Sequence, residues 1–271
     1  MAHLNVEPMV VHPAEVSWTL SQAWRLFATG LSFAIFGIGG LVMAFAWFPA
    51  VNLLVWNKQK RAALAQASVH RIWRLYIEIM RVLGVLTYET ENIDALRNCR
   101  GTVVVANHPS LLDVVFLMAF MRHTRAVVKE GVWRNPFMAG VVRSSNYIPN
   151  LADPDALIED CAAALREGAN LCIFPEGTRT PIGQKTKYQR GFAYVALKAG
   201  APILLVTIEV TPPTLRKGEP WHSIPVSKPH WRIRVHNTID TNNMIGKERS
   251  VQTVRRLAKE VQGRIEEELG I

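Results

Sequence analysis

Apolar and polar positions follow different periods in successive parts of this chain. From Leu26 to Trp56 there is no Asp, Glu, Lys, Arg or His, a run longer than the roughly 20 apolar residues a helix needs to cross a bilayer. Gly30, Gly37, Gly39 and Gly40 are tolerable in lipid. Pro49 predicts a kink or an end to the first helix, and Trp47 and Trp56 stand where interfacial rings anchor. One span, or two helices broken at Pro49 and re-entering one leaflet, fit the pattern equally. A cleaved leader is disfavoured although Ala44-Phe45-Ala46 resembles a cleavage box, because the lead-in is long, carries Glu7 and Glu15, and the run continues past the box. A buried core helix is disfavoured by length.

The next stretch changes character. Ile72, Tyr76, Ile79, Met80 and Leu83 recur at helical spacing, with Arg71, Arg74, Glu78 and Arg81 elsewhere on the wheel. Such a helix rests on a membrane surface or packs on the domain that follows, and the two are compatible.

From about Val85 short β-rich runs alternate with helical ones, as in a layered α/β domain. Strands are expected at Thr102–Ala106, Leu171–Phe174 and Ile203–Val210, with Trp231–Val235 alternating like an exposed edge strand. Helices are expected over Leu112–Met121 and from the N-cap Asp153 through Leu157, Cys161 and Leu165 to a stop at Gly168. Two more are expected over Gly191–Ala199, stopped by Gly200, and over Val251–Leu269 with Val254, Leu257, Val261 and Ile265 inward. The division is therefore an N-terminal segment 1–25, membrane-associated helices 26–84 and a catalytic domain 85–271.

Composition narrows the partners. The chain has 31 Lys and Arg against 22 Asp and Glu, a net charge of +9. That excess suits an anionic partner, but no nucleic-acid-binding motif accompanies it and the basic residues are scattered, so a membrane or a phosphorylated substrate fits better. If the apolar run spans once, the cations after it (Lys58, Lys60, Arg61) outweigh Arg25 before it, which puts the C-terminal part in the cytoplasm. Cys99, Cys161 and Cys172 have no CxxC spacing and read as reduced thiols, without a disulfide framework or a zinc site.

Two motifs fall just past the ends of buried strands, where chemistry usually sits. The first is Asn107-His108-Pro109-Ser110-Leu111-Leu112-Asp113. Pro109 and Ser110 delay the helix, so a turn can bring the imidazole and the carboxylate together. A hydroxyl becomes a competent nucleophile when a base removes its proton, and a histidine oriented by a carboxylate supplies that base. The same string is also a capping-box pattern, in which Asp113 only satisfies helix N–H groups. His236 and Asp240 form a similar pair and read as surface residues.

The second is Phe174-Pro175-Glu176-Gly177-Thr178-Arg179. Gly177 permits a positive φ that turns backbone N–H groups toward an anion, Thr178 adds a hydroxyl, and Arg179 offers a planar fork for phosphate. Glu176 beside an anion site makes sense if it orients Arg179 or bonds an acceptor hydroxyl. A plain turn with an exposed ion pair is the alternative.

Taken together, N-H-x4-D, F-P-E-G-T-R, Arg190-Gly191 opening a helix and the strand A-P-I-L-L-V resemble the lysophosphatidic acid acyltransferase family of glycerolipid acyltransferases over about residues 101–210. The resemblance implies a layered α/β acyltransferase domain with a mostly parallel sheet, preceded by membrane-associated helices. It implies His108 as general base and Asp113 as its orienting partner. The acceptor head group would be held by Asn107, Glu176, Gly177, Thr178, Arg179 and Arg190, the donor would be acyl-CoA or acyl carrier protein, and neither a cofactor nor a metal would take part. Two positions depart from the family. Asn150 stands where an arginine is usual, with Arg143 near enough in sequence to compensate, and Leu205 stands where a second proline is common. A charge-assisted hydrogen bond is worth roughly 1.5–3 kcal/mol, so the first departure shifts acceptor choice by about tenfold or more.

Overall fold

The apolar run folds as one unbroken helical rod. In this computed structural model residues 19–150, 153–181, 183–184, 186–241 and 251–271 are described, so most of segment 1–25, with Glu7 and Glu15, lies outside the described residues. Helix α1 (Leu20–Val42) starts at a capping box, in which the Thr19 hydroxyl accepts the Gln22 N–H and the Gln22 side chain accepts the Thr19 N–H, each at 3.1 Å. A π-helical turn, Met43–Trp47, leads directly into α2 (Phe48–Leu54). The break expected at Pro49 does not occur. Pro49 falls in the first turn of α2, just after the wider π turn has already interrupted the i→i−4 ladder, so its missing N–H leaves no further gap.

Helix α3 (Lys58–Val82) returns antiparallel along this rod. Trp47 Nε1 donates to Ser68 Oγ at 3.0 Å, Phe36 stacks on Trp73 with centroids 5.6 Å apart, and Trp24 Nε1 donates to the Leu83 carbonyl at 2.9 Å. The inner face of α3 is Ala65, Val69, Tyr76, Ile77 and Met80, whereas Ile72 points outward. Of the two readings of this helix, packing on the domain is the one seen. α1 itself is inverted relative to an ordinary surface helix: its polar Gln22, Arg25, Thr29 and Ser32 are buried, while Leu20, Trp24, Phe27, Leu31 and Ile38 face outward. At 3.6 residues per turn these two stripes lie on opposite sides of the helix.

The domain begins with β1 (Thr87–Glu91) and α4 (Ile93–Asn98). Then come the central β2 (Val103–Ala106), α5 (Asp113–Phe120), the short β3 (Thr124–Arg125) and β4 (Val127–Lys129), and α6 (Glu130–Arg134) with α7 (Pro136–Ser144). β5 (Ile148–Asn150), α8 (Pro154–Arg166), β6 (Asn170–Ile173), α9 (Gly191–Ala199), β7 (Ile203–Thr211), β8 (His230–Ile239) and α10 (Val251–Leu269) complete it. The main sheet runs β1-β8-β7-β2-β6-β3, and only the β7–β8 pair is antiparallel. The layered, mostly parallel α/β class is thus observed. β4 and β5 form a separate parallel pair.

Alternation along β2 separates two cores. Val104 and Ala106 face the side of α3 and α5, with Phe116, Ile208 and Trp231, whereas Val103 and Val105 face α8, α9 and α10, with Leu165, Phe192 and Leu257. Strand and helix bounds agree with the sequence pattern within a residue or two. Asp153 caps α8 through Oδ1, and Gly200, at φ +66°, closes α9 in the left-handed conformation. One strand differs in position. β8 is interior, between β1 and β7, and runs on to Ile239, because β1 covers the side the sequence left open. His236 is accordingly half-buried rather than on the surface: its Nε2 pairs with Thr207 Oγ1 at 2.8 Å and its Nδ1 lies 3.4 Å from Glu268. Asp240 is exposed. Leu205 sits beside the shift in the β7–β8 register, a place where the ladder is already irregular and a proline would be tolerated.

Candidate active site

The two motifs meet at the C-terminal ends of β2 and β6, which are adjacent parallel strands. Asn107 closes β2 by a two-way bond across the sheet: its Nδ2 donates to the Ile208 carbonyl at 2.8 Å and its Oδ1 accepts the Ile208 N–H at 2.7 Å. Asn107 therefore holds the loop in register and has both polar atoms occupied, which differs from a head-group contact.

One residue on, His108 Nδ1 lies 2.9 Å from Asp113 Oδ2, and the same oxygen accepts the Ser110 N–H at 2.6 Å. The pairing reading is thus realised, and the same oxygen ties the turn before α5, which has no side-chain cap. With Nδ1 facing a carboxylate, the neutral ring carries its proton there and leaves Nε2 as the acceptor. The His108 ring stacks on Phe174 with centroids 4.2 Å apart, which fixes its plane. Asp113 is fully buried, and burial raises its carboxyl above the ordinary range against the opposing bonds from His108 and the Ser110 N–H. Asp113 Oδ1 and Trp231 Nε1 are both buried without a hydrogen-bond partner.

The second motif locks onto the first. Glu176 Oε1 accepts the His108 N–H at 3.1 Å, and the Thr180 N–H donates to the His108 carbonyl at 2.9 Å. Glu176 thus braces the histidine's backbone and does not orient Arg179. Burial raises its carboxyl above the ordinary range, against opposing bonds from Thr180 and His108, and Oε2 is buried without a partner. A shallow, partly open pocket lined by Glu176, Thr180, Tyr188 and Glu266 among others adjoins it. Gly177 adopts φ +71°, as the turn requires.

Arg179 is held elsewhere. Its Nη1 donates to the Leu215 carbonyl at 2.9 Å and to Arg216 O at 3.3 Å, and the Leu111 N–H donates to the same Leu215 oxygen at 3.1 Å. The β7–β8 connection thereby touches both motifs. Thr178 is exposed, and Arg190 is half-buried at the start of α9. Arg143 is exposed in the last turn of α7, and among the described residues no bond links it to either motif. Asn150 pairs in register with Lys129 of β4, so a cation stands beside the position where the family's arginine is missing. Phe174, Thr180, Lys129, Leu215 and Trp231 were given no role by sequence reasoning. Only Phe174 carried a signal, as the first residue of its motif. Among the described residues no group of three or more His, Cys, Asp or Glu is placed to hold a metal ion.

A family model described as "Acyltransferase" matches residues 86–209. The chain is similar to a 1-acyl-sn-glycerol-3-phosphate acyltransferase of Pseudomonas aeruginosa, 29% identical over 136 residues, covering 48% of this chain and 52% of the relative. It is also similar to a chloroplastic one of Arabidopsis thaliana, 27% identical over 147 residues, covering 51% of this chain and 40% of the relative. The chain spans about half the length of the curated relatives it matches. The crystal structure of the 1-acyl-sn-glycerophosphate acyltransferase PlsC from Thermotoga maritima shares the fold, with a TM-score of 0.70 at 21% identity over 93% of this chain and 98% of that one. Residues 86–209 thus match an acyltransferase family model, the chain is similar in sequence to 1-acyl-sn-glycerol-3-phosphate acyltransferases, and its fold is the one seen in PlsC.

Proposed function

We propose that this protein is a membrane-bound O-acyltransferase that moves a fatty acyl group from acyl-CoA or acyl carrier protein to a hydroxyl of a lysophospholipid. The observation that carries the reading is the His108 Nδ1–Asp113 Oδ2 pair at 2.9 Å, with the carboxylate pinned by Ser110. His108 Nε2 takes the proton from the acceptor hydroxyl as its oxygen attacks the thioester carbonyl. Collapse of the tetrahedral intermediate breaks the C–S bond, and the imidazolium returns the proton to the departing thiolate. Asp113 holds the ring's tautomer and stabilises the imidazolium. No metal or cofactor is assigned a part.

For a phosphate-bearing acceptor, Arg179, Arg190 and the Gly177–Thr178 turn supply donors, and Lys129 offers a cation beside Asn150. Arg143 is the other candidate. A different lipid alcohol or an aminolipid as acceptor is the second reading. Asn150 in place of arginine favours it, as does the engagement of Arg179 with two carbonyls.

The outward apolar stripe of α1 supports the membrane contact, and its opposite, protein-facing stripe supports a rod lying in the plane of one leaflet. The helical stretch Leu20–Leu54 is long and apolar enough to cross a bilayer, but a lone spanning helix has no need of one polar face. The test is thiol release from a long-chain acyl-CoA by the full chain with lysophosphatidic acid, following phosphatidic acid as product. Product lost in His108→Ala supports the reading. Thiol release that needs no acceptor would make it a hydrolase, and turnover kept by a folded His108→Ala would remove the base from the mechanism.

A further inference from the structure

We infer that the β7–β8 connection, from Leu215 to Lys228, is a second membrane contact that sits on an anionic lipid surface beside α1; the inference rests on the membrane reading of α1 given above. Val226 is 76% exposed and Trp221 47%. An aqueous loop gains nothing from showing such side chains, and neither is an isolated case. The Trp221 ring lies 3.6 Å from where a Cβ on Gly30 would stand and meets Phe33 edge-on at 5.9 Å. The loop is therefore seated on the part of α1 whose outward stripe carries Trp24, Phe27 and Leu31.

Arg25 makes this attachment fit a non-aqueous setting. It is the one charged residue in α1 and is 2% exposed, and its guanidinium donates to the Val226 carbonyl at 2.6 Å and to Ser227 O at 2.8 Å. Irregular backbone near lipid needs its carbonyls satisfied from within the protein, and Arg25 does that at the loop's most apolar point. Lys217, His222 and Lys228 are exposed and have no carboxylate partner among the described residues, while Arg216 shares Glu219. An aromatic ring and an aliphatic tip flanked by Lys217 and Lys228 match the lipid interface, where rings settle at headgroup depth and lysines meet anionic phosphates. Leu111 is 41% exposed and its backbone bonds Leu215, as does Arg179. Seating the loop at headgroup level therefore brings the mouth of the catalytic loop to that level too.

The test uses the full chain with an NBD label on Val226→Cys, Phe27→Cys or Asp155→Cys, and labelled wild type as the blank for the native cysteines. Each protein is bound to phosphatidylcholine–phosphatidylglycerol vesicles with or without brominated acyl chains. Bromine is expected to quench the labels at 226 and 27 and to spare the one at 155, which is exposed on α8. Lys217→Glu combined with Lys228→Glu is expected to weaken quenching at 226 and leave it intact at 27. Quenching at 27 with none at 226 overturns the inference and leaves the α1 reading standing. No quenching at either position overturns both. A label at 226 that is shielded only when an acidic carrier protein is added replaces the lipid by a protein partner.

Discussion

Asp113 Oδ2 receives both the His108 ring nitrogen, at 2.9 Å, and the Ser110 N–H, at 2.6 Å, so the group that starts helix α5 is also the group that aims the imidazole. An amide whose oxygen takes the Oδ2 place keeps both bonds but loses the negative charge that stabilises the imidazolium. Asp113→Asn is expected to fold, with α5 intact by circular dichroism, and to lower kcat by about 10⁴-fold, the size found when a triad's orienting carboxylate is amidated. A loss below tenfold would show that Asp113 serves only the helix.

Glu176 supplies the pH dependence. Its carboxyl is raised by burial, so the folded chain holds that proton more tightly than the unfolded chain. Stability from this group is full below the ordinary carboxylate value, about 4.3, and falls as pH rises through the raised folded value. Glutamine removes the titration and still accepts the His108 N–H. Glu176→Gln is therefore expected to melt higher than wild type at neutral pH, with the gap closing toward about pH 4. Thermal unfolding across that range decides it, and a gap that does not vary with pH would refute the assignment.

Arg179 is tied to Leu215 and Arg216 carbonyls, yet its charge borders the proposed head-group site. Arg179→Lys keeps the charge and loses the fork. For a phosphate acceptor the expected outcome is a KM raised by about tenfold, the weight of roughly one charge-assisted bond, with kcat largely unchanged. An unchanged KM for lysophosphatidic acid would point to an acceptor without phosphate.

Gly177 has φ +71°, and a Cβ there would meet only Gln189 Cγ at 3.7 Å, an ordinary contact. The whole effect of Gly177→Ala is therefore backbone strain, about 1–2 kcal/mol. Denaturant unfolding should show the unfolding free energy lowered by that amount, through a lower midpoint with the slope unchanged.

The sequence carried β2, β6 and β7 because they are continuous valine-, leucine- and isoleucine-rich runs with glycine or proline punctuation, whereas the short β3, β4 and β5 and the polar β1 carry no such pattern. Pairing order is not local. β8 looked like an edge from its alternation, and only β1, more than a hundred residues earlier, makes it interior. His108 and Asp113 were legible because five residues and a proline constrain them, whereas for Glu176 and Arg179 the residues were legible and their bonds within the protein were not. Their partners, the His108 N–H and the Leu215 carbonyl, are backbone atoms that no side-chain pattern reveals. The buried polar stripe of α1 was similarly hidden, since a run without strong charge gives no sign of which side turns inward.

The Asn107 side chain answers both the N–H and the carbonyl of Ile208, as a rung of backbone would. His108 is thus one peptide bond from a point fused to the middle of β7, and its place is inherited from the sheet. The histidine has no private route to disorder: gentle heating should not dim turnover while the fold persists, as happens where catalytic loops loosen first. Activity and near-ultraviolet circular dichroism should instead vanish together, at one temperature.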